Sequence, residues 1–307
     1  MATAVVCAYS LVGRRAIEAL VRGGVEILAL YTYNQPDADK WFEAPAEYAR
    51  RQGIPVFCEA DFNAGPAYTR ILGLGPDFLF SFYFREMVGE KILRIPKSGA
   101  YNLHGSLLPK YRGRAPVNWV LARGETKTGI TLHAMTAKPD DGDIFGQVEI
   151  PIAWDETALS LTGKMAEAGY GLVLATVSGL VNGTLQGIPQ TTLGKSSYFG
   201  GRGPEDGRLG FWMTAHEAFN LIRAVADPWP NAFLAMEERT VKISWALPDE
   251  GRCPQGLFRH TDEGILLGFA DAPLKLVTLK RGQERSDDPR IQSQWLKGLG
   301  IEECAGH

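Results

Sequence analysis

Short apolar runs alternate with amphipathic stretches from residue 3 to about residue 182. "TAVVCAY" reads as a buried strand, and "GRRAIEALVRGG" as a helix that ends on Gly23-Gly24. "VEILALYTY" is a second strand, "AEYARRQG" the end of a helix closed by Gly53, and "IPVFCEA" a short strand. "DFLFSFYF" is an aromatic-rich strand, and "GAYNLHGSLL" a strand running into a loop. This rhythm predicts an α/β fold, a parallel sheet wound by helices on both faces. Such sheets bind ligands beyond the carboxyl ends of their strands, which points to the stretches after Tyr9, Phe84 and Leu103.

The pattern then changes. "GITLHAMTAKPDDGDIFGQVEI" has two strand-like pieces around a polar turn and reads as a hairpin-like excursion. "DETALSLTGKMAEAGYGLVLATVSGLVNG" is a long helix ended near Asn182-Gly183. The Gly-rich stretch from 194 to 210 reads as a linker, and its segment Gly201 to Gly207 is long enough to move and could cover a bound substrate. "MTAHEAFNLIRAVAD" is an amphipathic helix stopped by Pro228, and the tail alternates short strands with turns. The expected organisation is a first domain over 1–200 and a small β-rich domain, a barrel by its rhythm, over 201–307.

Composition narrows the function classes. At roughly 100–200 residues per domain, 307 residues fit about two domains. Lys plus Arg total 32 against 35 Asp plus Glu, a formal charge of −3, which speaks against a polyanion-binding surface but not against a small anionic substrate. Cys7, Cys58, Cys253 and Cys304 form no CxxC or Cys/His cluster, so no zinc site is expected and the thiols read as reduced. No apolar run reaches the roughly 18 residues needed to cross a bilayer. No basic residues precede the first apolar run, as they would in a secretory signal, so the expected location is cytoplasmic, without membrane insertion.

The chemistry concentrates in "YNLHGSLLPKYRGRAPVNW", residues 101–119. Asn102 and His104 lie two apart at a strand end, which puts both side chains on one face. An amide donor suits an oxyanion, and an imidazole exchanges protons near neutral pH. The loop that follows is stiff and cationic, with Lys110, Arg112 and Arg114. From spacing alone a second reading stays open, in which Asn102 and His104 only satisfy backbone groups in a turn. "AKPDDGD" adds Asp140, Asp141 and Asp143, one of which would have to reach His104 to raise its basicity; the others suit a solvated turn. A calcium loop fits poorly, because the glycine follows only the second Asp and no Glu stands at the twelfth position. Cys7 has no neighbour in sequence that would activate it and reads as a packed thiol. His133, inside an apolar strand, reads as a satisfied core residue.

"NLHGSLLPKYRGRAPVNW" resembles the Asn-x-His plus SLLPxYRG signature of the 10-formyltetrahydrofolate-dependent formyltransferases. "FSFYFREMV", "GETKTGITLHAM", "DDGDIFGQ" and "IRAVADPWPNAF" match in order and spacing, so the resemblance covers most of the chain. It is strongest to the formyltransferase half of bifunctional polymyxin-resistance enzymes, which formylate UDP-4-amino-4-deoxy-L-arabinose for lipid A modification. Those enzymes continue into a decarboxylase half absent here, leaving a stand-alone enzyme or an excised half as alternatives and the oligomeric state open. The resemblance implies a Rossmann-like catalytic domain with a small OB-like barrel. It implies Asn102, His104 and Asp140 as catalytic residues, with Asp140 orienting His104. It further implies a formyl-folate site built from Glu86, Met87, Val88, Arg114 and the turn Thr136, Ala137, Lys138, Pro139 and Asp140, through backbone groups at 86–88. The co-substrate is then 10-formyltetrahydrofolate, the acceptor a nucleotide-linked amino sugar, and no metal is called for.

Four rivals remain. A nicotinamide-dependent dehydrogenase would need a GxGxxG turn, but the first turn, "AYSLVGRRA", has a single glycine. A methionyl-tRNA formyltransferase would need clustered bases, yet residues 31–50 hold four acids against two bases, and from Phe211 onward 11 Lys plus Arg face 14 Asp plus Glu. A different acceptor, such as a dTDP-4-amino-6-deoxyhexose, keeps the chemistry. An inactive binding module, or a hydrolase that passes formyl to water, is separated by an assay of formyl-folate consumption.

Overall fold

The computed structural model describes residues 1–33, 42–59, 61–237 and 239–304. Part of the acidic loop of 31–50, residues 34–41, lies outside the described residues. The chain divides into two compact units, residues 1–116, 127–151 and 162–200 forming the first and residues 117–126, 152–161 and 201–307 the second.

In the first unit, β1 (Thr3–Ala8), β2 (Glu26–Tyr31), β3 (Val56–Phe57), β4 (Phe78–Phe82) and β5 (Ala100–His104) are parallel, in the order β3-β2-β1-β4-β5. α1 (Ser10–Arg22), α2 (Pro45–Arg51), α3 (Gly65–Leu74) and α4 (Glu90–Leu93) connect them. α1 starts earlier than the apolar run suggests: β1 stops at Ala8 and the chain turns at Ser10, which has φ +63°. One face of the sheet buries Val5, Cys7, Tyr31 and Leu79 against Phe62, Ile71 and Ile92.

The short β6 (Arg112–Gly113) and α5 (Pro116–Ala122) precede β7 (Lys127–Ala134) and β8 (Ile144–Pro151). These last two strands are no excursion. β7 pairs antiparallel with β5, and β8 with β7, extending the same sheet to seven strands. The sheet is therefore mixed, because a hairpin that follows β5 at its open edge satisfies the backbone groups that edge would expose. The register sets Asn102 opposite His133 and His104 opposite Thr131. α6 (Ala158–Val181) is the long helix, and its Gly169 lies close against Ile130 and Leu103. β9 (Tyr198–Phe199) pairs with β6.

In the second unit, β10 (Ala232–Met236), β11 (Arg239–Pro248), β12 (Phe258–Thr261), β13 (Gly264–Gly268), β14 (Pro273–Arg281) and β15 (Glu284–Ser286) form an antiparallel sheet. α7 (Ala215–Ala224) opens on a Thr214/Glu217 capping box, which explains a helix start at that point. α8 (Pro289–Gly298) begins at the end of the mixed-charge stretch 281–290, with Asp288 as its N-cap and Pro289 at its first position. No helix among the described residues is long and apolar enough to cross a membrane.

Candidate active site

The end of β5, the facing end of β7 and the turn after β7 bring four polar side chains together. His104 is buried, and its Nε2 lies 2.8 Å from the Tyr111 carbonyl oxygen. A carbonyl only accepts, so Nε2 carries the hydrogen and Nδ1 is the basic nitrogen. Nδ1 stands 3.4 Å from Asp140 Oδ1. The same oxygen lies 3.4 Å from Asn102 Nδ2 and 3.4 Å from His133 Nε2. The Gly113 N–H donates to the other carboxylate oxygen at 2.8 Å.

His133 was masked by its apolar surroundings and is only 2% exposed, yet it belongs to this cluster. Its Nδ1 donates to the Ala134 carbonyl at 2.8 Å, which leaves Nε2 to accept from Asn102 Nδ2 at 3.1 Å. The signal that would have found it is its position across the β5–β7 ladder from Asn102, a pairing that local pattern does not disclose.

Burial pushes the His104 imidazole below its usual range; Asp140 and the Tyr111 carbonyl pull it back up, and His133 adds to the lowering. The net direction is down, so His104 is neutral at neutral pH. Burial alone would raise the Asp140 carboxyl, but in the acid range where it titrates the imidazoles of His104 and His133 are protonated, and with the Gly113 N–H they outweigh burial and hold Asp140 at about 2. Asp140 is therefore an anion facing a neutral, basic nitrogen. Any proton that arrives on Nδ1 creates a cation directly against that anion.

The Asp140 turn is tightly held. Asp140 has φ +52°, and Gln190 donates from Nε2 to the carbonyls of Asp140 (2.9 Å) and Gly142 (2.7 Å). At Gly142 a Cβ would run into the Ala134 carbonyl, so the turn requires glycine there. Arg112 donates to Asp141 at 2.5 Å and to Gln190 Oε1 at 2.8 Å, which spends its charge on the same turn. Asp143 is exposed. Among the described residues no group of three or more His, Cys, Asp or Glu could hold a metal ion.

The segments expected to meet formyl-folate are placed as follows. Glu86 accepts from the Phe62 N–H at 3.2 Å, Met87 is exposed, and the Val88 side chain is buried in the core. Thr136 to Pro139 are exposed, and Thr136 and Lys138 bond each other within the turn. An open cleft of about 260 Å³ lies between α4 and that turn, lined by Glu90, Leu93, Arg94, Met135, Thr136 and Ala137. Arg114 is exposed, its N–H bonded to the Phe199 carbonyl at 2.9 Å. Cys7 is fully buried; burial first and the charge of Glu86 second push its thiol up, so it stays protonated and inert.

Two family models match the chain in tandem: formyl transferase over residues 37–177, and the formyl transferase C-terminal domain over residues 203–298. The chain belongs to the formyl transferase family. Among solved structures, it is similar to an N-formyltransferase from Helicobacter canadensis in complex with folinic acid and dTDP-3-aminofucose. That match has a TM-score of 0.69 at 20% identity and covers 90% of this chain and 99% of that one. WlaRD, a sugar 3N-formyl transferase solved with dTDP and 5-N-formyl-THF, has a TM-score of 0.69 at 18% identity, covering 92% and 99%. A methionyl-tRNA formyltransferase from Clostridium thermocellum reaches 0.58 at 14% identity, covering 92% and 100%. At these identities the likeness is one of fold. This formyl transferase carries the two-unit architecture of the family, an α/β sheet unit followed by an antiparallel one.

Proposed function

We propose that this formyl transferase moves the formyl group of 10-formyltetrahydrofolate onto the 4-amino group of UDP-4-amino-4-deoxy-L-arabinose, in lipid A modification. The observation that carries the reading is the convergence of Asn102 Nδ2, His104 Nδ1 and His133 Nε2 on one carboxylate oxygen of Asp140, each at 3.4 Å. The neutral sugar amine attacks the formyl carbon and forms a tetrahedral oxyanion. Asn102 turns the N–H of its long Asp140 contact onto that oxyanion. His104 Nδ1 takes the proton released by the amine and delivers it to the folate nitrogen as the carbon–nitrogen bond breaks. The products are the N-formyl sugar and tetrahydrofolate. Asp140 steadies the transient imidazolium. Glu86 to Val88, Arg114 and the turn Thr136 to Asp140 hold the formyl-folate, which the cleft beside that turn supports.

A dTDP-linked amino sugar is the second acceptor to test, since the similar Helicobacter canadensis enzyme was solved with dTDP-3-aminofucose. The deciding experiment supplies 10-formyltetrahydrofolate with UDP- and dTDP-linked amino sugars and with methionyl-tRNA, and measures tetrahydrofolate and the formylated product. Turnover is expected with the UDP sugar. Formyl-folate consumption without any formylated sugar would sink the assignment.

A further inference from the structure

Cys253 and Cys304 come together within the second unit. Cys253 lies in the stretch before β12 and is buried. Its S–H donates to the Leu257 carbonyl at 3.2 Å, with the Leu266 carbonyl of β13 at 3.6 Å. Cys304 arrives from the far end of the unit. After α8 the chain returns to β12, where the Phe258 N–H donates to the Glu302 carbonyl at 3.0 Å and the Cys304 N–H to the Phe258 carbonyl at 2.8 Å. Ile301 is buried, and Lys297 pairs with Glu303 at 2.7 Å, so the returning segment is anchored by its own side chains.

The two thiols are in hydrogen-bonding contact, and both are free. Burial first, then the charge and hydrogen bond of Cys304, push the Cys253 thiol up to about 12; the Gly268 N–H and the Arg259 guanidinium pull the other way. Cys253 is therefore protonated at rest. Cys304 is only half-buried, which makes it the thiol that a small oxidant meets first. Arg259 Nε is buried without a hydrogen-bond partner among the described residues, so an anion on the neighbouring sulfur would find a donor close by.

We propose that Cys253 and Cys304 are an oxidisable pair, closed by peroxide into a disulfide that fastens the segment after α8 to the stretch before β12. The Cys304 sulfur gives up its proton and attacks one oxygen of hydrogen peroxide. The O–O bond breaks, a sulfenic acid forms, and the departing hydroxide takes the proton and leaves as water. The Cys253 sulfur then attacks the Cys304 sulfur; the S–O bond breaks, and the hydroxide leaves with the Cys253 proton as a second water. Each sulfur loses one electron, and the peroxide gains two. A sulfenic acid carries no thiolate charge, so the first step removes one of the influences that keep Cys253 protonated. The pair lies wholly in the second unit, and the proposal holds whichever acceptor the enzyme formylates.

The test exposes the whole chain carrying Cys58→Ser, which removes the exposed thiol, to hydrogen peroxide and counts thiols in denaturant. Two thiols are expected to disappear and to return with dithiothreitol. A peptide map without reductant shows the peptides of Cys253 and Cys304 joined. Closing a ring of about 50 residues raises the melting temperature of the oxidised protein by about 5 °C. Cys304→Ser, at a half-buried position, abolishes the joined peptide and the rise. Cys253→Ser leaves Cys304 at the sulfenic acid, which dimedone traps. Circular dichroism checks that each variant is folded. Oxidation of Cys304 to the sulfinic acid with Cys253 still free overturns the proposal, as does linkage of either to Cys7, or a thiol count that peroxide leaves unchanged.

Discussion

The cluster around Asp140 and the thiol pair of the second unit treat buried polarity in opposite ways. In the first, the facing nitrogens of Asn102, His104 and His133 are met by other groups of the same unit, and both oxygens of Asp140 are engaged. In the second, burial prevails at Cys253 and keeps its thiol protonated, although Arg259 stands beside it. The contrast separates two tasks. Groups that stabilise developing charge work best when they are already oriented, since they then need no reorganisation as the reaction proceeds. A thiol that waits for an oxidant is better kept protonated, since the thiolate is the form that reacts.

The comparison breaks most visibly at the oriented cluster. His104→Ala is expected to lower kcat by about 10²- to 10⁴-fold and Asn102→Ala by about 10²- to 10³-fold, with the melting temperature little changed, measured by tetrahydrofolate release. Asp140→Asn lowers kcat and also moves the pH profile. His104 acts as a base, so activity rises with pH through its pKa, which lies below the usual 6.5 because burial lowers it. His104 faces Asp140, His133 and the Tyr111 carbonyl, and of these Asp140 and the carbonyl raise it. Removing the carboxylate charge therefore shifts the acid limb of kcat/KM to still lower pH. A limb that moves up, or stays in place, contradicts an anionic Asp140.

The same contrast explains what could be read in the sequence. Asn102 and His104 are two apart on one strand, so their shared face follows from strand geometry alone. The five parallel strands follow from the alternation of apolar runs and amphipathic stretches. His133 does not, because its role depends on β7 lying antiparallel beside β5, a pairing between segments some thirty residues apart. Gln190 is invisible for the same reason: its partners Asp140 and Gly142 are about fifty residues away. α8 carries a local signal, Asp288 followed by Pro289, within a run of mixed charge. Cys253 and Cys304 are about fifty residues apart and read as scattered thiols, and only the return of the chain after α8 to β12 brings them together.

A smaller effect is expected one step from the cluster. Gln190→Leu leaves the carbonyls of Asp140 and Gly142 without their buried donor. The cost is about 2–4 kcal/mol of stability, read from urea unfolding. Because the turn that carries Asp140 loosens, kcat falls as well. Loss of stability with kcat intact would show that the turn keeps its shape without Gln190.

The smallest effect carries the opposite sign and sets a boundary on the argument from Arg259. The Tyr83 hydroxyl, like Arg259 Nε, is buried with no partner among the described residues. It abuts Gly105, where a Cβ would collide with it, and burial raises its pKa with no charged group contributing. Arg259 differs in being a cation that bears on Cys253. Both atoms are enclosed, and the neutral hydroxyl carries no charge to attract a ligand. Tyr83→Phe is therefore expected to raise stability by about 1 kcal/mol in urea unfolding, since it removes an unanswered buried group. The KM values for acceptor and formyl-folate stay unchanged. If Tyr83→Phe instead weakened substrate binding, an unpartnered group in this fold would mark a ligand contact whether or not it carries charge. Arg259 Nε would then need the same reading, and its place beside Cys253 would no longer account for it.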